Sequence, residues 1–238
     1  TNISEKIRLN SLSNIIAITG SCGKTTLKEL LANVFSKISR ISYSPKSYNN
    51  KYGVPISLFN INKKDDFGIF EIGMDKKGEI DSLSKIIKPD VGLITNISYA
   101  HAKNFNSLEQ IADAKSEIIN NIKKNGSMVL NADDSFFFKH KKLALKKKLK
   151  IYSFSLNKKS ASVYIKKIFK LKKKFKILVS INKKNKLFFI NSIFESDLKN
   201  ILASIAVISI FKDVSKLNNN IFYSFKNPNG RGDISKIK

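Results

Sequence analysis

The chain has 238 residues, which suffices for one large domain or two small ones and for a substantial core. With 42% hydrophobic and 10% aromatic residues it is no disordered polycation, and no apolar run reaches the length that spans a bilayer. The formal charge of +26 comes almost wholly from Lys spread along the chain, and the densest stretch, 139–186, has no Arg, so solvated lysine faces are expected rather than a nucleic-acid patch.

The opening Thr1-Asn2-Ile3-Ser4-Glu5 has neither a Met nor a charged-then-apolar leader, and the chain reads as a processed product or an excised piece. Ile15-Ile16-Ala17-Ile18-Thr19 predicts a buried strand ending at Gly20. The segment 24–36 predicts a helix with Leu27, Leu30, Leu31, Val34 and Phe35 on one side. Further strands are expected at 41–43, 67–71, 91–95 and 128–130, with helices at 79–87 and 108–122. Short strands spaced by helices imply an α/β fold with a mostly parallel sheet flanked by helices. After residue 150 the pattern changes. Segments 162–169, 174–181 and 186–191 alternate apolar and polar residues, predicting a small antiparallel β subregion at about 150–192, followed by a helix at 197–211.

Between the first strand and helix lies Gly20-Ser21-Cys22-Gly23-Lys24-Thr25-Thr26. Glycines let backbone N–H groups turn toward phosphate oxygens, and the helix start adds partial positive charge. Lys24 would reach terminal phosphates and Thr25 would place its hydroxyl on Mg²⁺. The general phosphate-loop pattern wants a glycine at position 18, where this chain has Ile18. Cys22 reads as part of the loop rather than as a nucleophile. As the one cysteine it excludes an internal disulfide and fits a reducing, cytoplasmic compartment, and two histidines cannot build a His-rich zinc site. Glu71 closes the third strand, on the edge where parallel sheets bind ligands. His101 follows the fourth strand and Lys115 sits on the next helix. Each has a plain alternative: a strand end, a loop residue, one lysine among many.

Taken together the segments resemble the central ATP-binding domain of the Mur ligases, the ATP-dependent amide-forming enzymes of peptidoglycan precursor synthesis. Thr19 to Thr26 resembles the TGxxGKTT loop, and Leu27-Lys28-Glu29 continues it in the MurF manner. Asn50 to Pro55 is similar to N-x-x-GVP, and Glu71 to Ile80 to E-x-G-x-x-x-x-GEI. Thr95-Asn96-Ile97 with Ala100-His101 resembles TNI-x-x-AH, and Ser107 to Ile118 resembles SLExIAxAKxEI. Asn131 to Asp134 is similar to NADD, and Gly230-Arg231 to the GR that closes the domain. The chain departs from the family at Asp75-Lys76, usually Asn-His, and at Phe194 to Asp197, often G-x-H-N.

The resemblance implies ATP and Mg²⁺ as cofactors and one domain over 1–238, with separate UDP-binding and C-terminal ligase domains elsewhere. It implies phosphate binding by Gly20, Ser21, Cys22, Gly23, Lys24, Thr25, Thr26 and Arg231, and nucleotide contact by Asn131. It implies Mg²⁺ held by Thr25, Glu71, His101 and Lys115, the last carbamylated. Lys24, His101 and Lys115 would be the catalytic set. The partners implied are UDP-MurNAc-peptide and D-alanyl-D-alanine, with no nucleic acid, no membrane insertion and a monomeric state. The isolated chain is expected to bind nucleotide weakly and ligate nothing. A MurE-like enzyme, a folylpolyglutamate synthase or a non-catalytic homologue remain the alternatives, with a nucleic-acid-binding phosphate-loop module as the reading from another class.

Overall fold

Apolar runs without a polar face become strands buried on both sides, and here they stack into one sheet. The computed structural model describes residues 2–99, 104–172 and 174–228. Its elements run α1 (Asn2–Asn10), β1 (Asn14–Thr19), α2 (Lys24–Phe35), β2 (Ile41–Tyr43), α3 (Gly53–Leu58), β3 (Phe67–Glu71), α4 (Glu79–Ile87), β4 (Val91–Ile94), α5 (Leu108–Ser116), β5 (Ser127–Asn131), α6 (Phe137–Lys146), β6 (Lys150–Ser155), β7 (Val163–Lys170), β8 (Phe175–Ile181), β9 (Lys184–Ile190) and α7 (Glu195–Phe211). The nine strands form one sheet in the order β2-β3-β1-β4-β5-β6-β7-β8-β9.

Every pairing from β2 across to β7 is parallel. Among the described residues, only β7–β8 and β8–β9 pair antiparallel. The subregion expected from 150 is therefore corrected in two ways. The segment 150–155 continues the parallel sheet beside β5, and the antiparallel hairpins begin at Val163 as an extension of that sheet. Alternation along a strand reports a half-exposed face and says nothing about the direction of its neighbour.

Alternate residues of β1 feed two cores. Ile16 and Ile18 pack with α2 and α7, while Ile15 and Ala17 pack with residues of α3, α4 and α5. Helix α7 is polar in its first turns and buried without a break from Ile201 to Ile208, as its covering of β5, β6 and β7 requires. The helix expected over 108–122 ends at Ser116 and tightens into a 3₁₀ turn at Glu117–Asn121. Glu117 there accepts from Gly78 N and Asp81 N at the start of α4, and Asn121 Nδ2 donates to Asp81 and Ser84. Side chains that bond a neighbouring helix favour such a turn over helix continuation.

The chain crosses from β3, on one side of β1, to β4 on the other. A parallel α/β sheet opens a crevice at the carboxyl ends of its strands where the order reverses in this way. The loop after β1 emerges there, between the ends of β3 and β4.

Candidate functional site

Two glycines shape the loop after β1. Gly20 has φ of +141°, and a Cβ there would lie 1.9 Å from Thr95 Oγ1. Gly23 has φ of +82° and begins α2 with no side-chain cap, so no cap shields the first-turn N–H groups from an outside acceptor. The Ser21 hydroxyl donates to Ser98 O at 2.9 Å and accepts from Ser98 N at 2.9 Å. Thr95 Oγ1 donates to Cys22 O at 2.7 Å, and Cys22 N donates to Asn96 Oδ1 at 3.1 Å. The segment after β4 thus straps the loop from below. The Cys22 thiol is exposed and the loop uses that residue's backbone.

Lys24 stands on the first turn of α2, and its Nζ donates to Gly20 O at 2.9 Å and Ser21 O at 3.2 Å, which folds the ammonium over the loop. Beside it, Thr25 Oγ1 donates to Glu71 Oε2 at 2.7 Å. The other oxygen of Glu71 accepts from Asn49 Nδ2 at 2.7 Å, and its carboxylate is almost wholly buried. Parallel pairing sets this junction, because Ile18 on β1 lies opposite Glu71 on β3, and the phosphate loop starts two residues later. Asn49 belongs to the connection between β2 and α3, as does Ser47, whose hydroxyl is 3.4 Å from Thr25 Oγ1.

Lys115 lies on the last turn of α5 with 1% exposure. Burial, and then the nearby charge of Lys24, push its ammonium down from 10.5 to about 7, against a small opposing pull from Cys22. The structure therefore brings Lys115 within electrostatic reach of the loop lysine. Loss of the proton is thereby brought down toward neutral pH. Among the described residues its Nζ has no hydrogen bond to a carboxylate or carbonyl that would hold it as a structural cation.

Asn131, expected at the nucleotide, spends both polar ends on the protein. Its Nδ2 donates to Thr95 O at 3.2 Å, and its Oδ1 accepts from Asp133 N at 3.0 Å. Asp134 accepts from Ile97 N at 2.7 Å. Both residues brace the strap beneath the phosphate loop. His101, with Ala100 before it, and Gly230-Arg231 lie outside the described residues.

Two pockets flank the loop. One of about 410 Å³ lies between α2 and the start of α7, with Thr26, Asn200, Phe194 and Asp197 in its wall. Asn200 Oδ1 is 3.3 Å from where a Cβ of Gly23 would sit, which ties this pocket to the loop. Of the departing segment, Phe194 and Asp197 thus line a cavity beside the loop. The other pocket, of about 600 Å³, is open to Lys24, Asn49, Lys51 and Tyr52, and includes the departing pair Asp75 and Lys76. Asn49, Ser47, Thr95 and Asn96 were beyond sequence reasoning as site residues. The one signal was their place in or beside the N-x-x-GVP and TNI segments.

Among the described residues, no three His, Cys, Asp or Glu side chains converge as a preformed metal cage. One buried carboxylate beside a threonine hydroxyl suits Mg²⁺, which takes one or two carboxylates and completes its shell with phosphate and water. The donor set fits that ion, and the glycine cradle fits phosphate, since a Cβ at Gly20 would strike Thr95.

The family model for the Mur ligase middle domain matches residues 18–208. A UDP-N-acetylmuramoyl-tripeptide--D-alanyl-D-alanine ligase of Buchnera aphidicola is 38% identical over 156 residues, 66% of this chain and 34% of that protein. The ligase of the same name from Rickettsia prowazekii is 40% identical over 161 residues, covering 66% and 35%. A crystal structure of MurF from Acinetobacter baumannii superposes with a TM-score of 0.88 at 27% identity, covering 98% of this chain and 51% of that one. The chain thus spans about a third of the length of these curated relatives.

Proposed function

The chain belongs to the Mur ligase middle-domain family, and from that premise we propose that it is the ATP- and Mg²⁺-binding part of a ligase that adds D-alanyl-D-alanine to a UDP-MurNAc-tripeptide. The observation that carries the reading is Lys115. A lysine buried to 1% exposure beside the cationic Lys24, with its basicity lowered to about 7, is costly as an ammonium and useful as an amine. Neutral amine takes up CO₂ and releases a proton, and the resulting carbamate is an anion. That change converts repulsion from Lys24 into attraction and supplies oxygen donors of the kind Mg²⁺ takes.

In this reading the glycine-turned amides of 20–24 hold the phosphates, and Lys24 leaves its carbonyl partners to neutralise the terminal ones. Thr25, Glu71 and carbamylated Lys115 hold Mg²⁺, with His101 as a further ligand and Arg231 on the phosphates. ATP supplies phosphorylation of a substrate carboxylate, from which an incoming amine displaces phosphate to form the amide. The pocket of about 410 Å³ beside Gly23 takes the nucleotide base, and that of about 600 Å³ beside Lys24 takes the end of the peptide that carries the carboxylate. Both departures line these pockets, so they bear on fit while the loop, Glu71 and Lys115 are intact.

The test is phosphate release by the full-length protein with each component omitted in turn. Release that requires ATP, Mg²⁺, UDP-MurNAc-tripeptide and D-alanyl-D-alanine together is expected. Release with a single amino acid in place of the dipeptide assigns a sister ligase instead. A full-length protein that binds no nucleotide overturns the proposal.

A further inference from the structure

Lys28 is fully buried, one helical turn beyond Lys24 on α2. Its Nζ donates to Ser44 O at 2.5 Å and to Lys46 O, pairs with Glu29 at 2.8 Å, and lies 5.7 Å from the centre of the Tyr43 ring. Both carbonyls belong to the connection between β2 and α3. Lys46 sits there in the left-handed region with φ of +45°, which a non-glycine residue holds only when its surroundings fix it. The same connection supplies Ser47, beside Thr25, and Asn49, bonded to Glu71. It is stitched to β3 by Glu71 N donating to the Ser44 hydroxyl and by Gly73 N donating to Asn49 O at 2.7 Å.

We propose that Lys28 is a positioning residue: its buried ammonium clamps the turn at 44–46 so that Ser47 and Asn49 reach Thr25 and Glu71. Successive turns of α2 thereby serve the site from two sides, Lys24 at the phosphate loop and Lys28 under the carboxylate. The inference rests on the nucleotide–magnesium reading for its consequence, and on the geometry above for the clamp itself. An internal contrast shows what a merely structural cation does. Arg8 is 3% exposed and bonds Ile87 O, Lys88 O and Asp90 at the opposite edge of the sheet, with no link to the site.

The experiment compares Lys28→Gln and Lys28→Met with Arg8→Met in the full chain. Methionine suits the buried position and guards against a Gln variant that fails to fold. Hydrogen exchange is followed peptide by peptide, and Mg²⁺ is titrated against a bound fluorescent ATP analogue. In folded Lys28 variants, exchange is expected to rise over 44–50 and not over the rest of α2. The magnesium half-saturation is expected to rise about tenfold, as when a support behind a metal ligand is lost. Affinity for the analogue in chelator is expected to hold. Arg8→Met is expected to lower the melting temperature and leave both readouts as in the wild type. Wild-type exchange over 44–50 with wild-type magnesium half-saturation in a folded Lys28 variant overturns the inference. A wild-type chain indifferent to Mg²⁺ overturns the nucleotide–magnesium reading instead, and the exchange arm still decides the clamp.

Discussion

Lysine behaves in opposite ways at the two ends of this sheet. At the carboxyl edge of the parallel strands, Lys28 and Lys115 are buried, Lys24 is folded onto carbonyls, and each has a defined neighbour. On the antiparallel hairpins, Lys166, Lys167 and Lys170 face water. Their neighbours there are aromatic faces, with Lys167 and Lys176 each about 5 Å from the centre of Phe169 and Lys174 4.1 Å from that of Phe189. The contrast teaches that a lysine-rich composition conceals the informative lysines. Burial singles them out, since removing an ammonium from water costs several kcal/mol unless the protein returns bonds or a use.

Substitutions at both ends can break or sharpen that contrast. The largest effect is expected from Gly20→Ala, where left-handed strain and a clash with Thr95 combine to cost about 3 kcal/mol in denaturant unfolding and to abolish nucleotide binding. Lys24→Ala is expected to leave the fold standing while nucleotide affinity in a binding titration falls roughly 10- to 100-fold, the worth of a charge-assisted hydrogen bond.

Lys115 gives a pH signature. Its folded value of about 7 lies below the ordinary 10.5. Below about pH 7 the amine is charged in both states, and the native state bears the full cost of burying it. Between 7 and 10.5 the folded chain sheds the proton while the unfolded chain keeps it, so stability from this group rises with pH. Melts in CO₂-free buffer should show that rise, and Lys115→Met should flatten it. Bicarbonate should raise the wild-type melting temperature near neutral pH and leave the variant unmoved. The smallest effect is expected from Lys174→Ala, which loses a half-buried cation–π contact worth about 1 kcal/mol and leaves nucleotide binding unchanged. A strong loss of binding there would erase the distinction between the two ends.

Much of the architecture was legible because short apolar-rich runs set between turn residues admit few readings. Strands at 41–43 and 67–71 and helix 79–87 fall where their periodicity puts them. Helix α1 escaped because its residues are mostly polar, and α3 because it is a six-residue helix containing Pro55. Helix α6 escaped because lysines interrupt its stripe, leaving His140 and Ala144 as its buried residues. In the site, the glycine loop and the carboxyl-terminal position of Glu71 were readable from strand–loop–helix order. The supports were not. Asn49, Lys28 and Asp134 act on carbonyls, amides or a carboxylate brought close by folding, and such partners leave no pattern in the chain. Asn131 is expected at the nucleotide from the family resemblance, and its bonds to Thr95 O and Asp133 N, which brace the strap, leave no pattern in the chain either.

Helix α7 rests at once on β5, β6 and β7, on α2, and on hairpin residues such as Ile177, Val179 and Phe188, while its first turns carry Asn200 to the back of Gly23. The hairpins are thus a foundation rather than an ornament. Excising β8 and β9 from between β7 and α7 would strip this beam of its lower bearing and let the wall behind the glycine loop sag, so the smallest competent unit must retain these outlying strands.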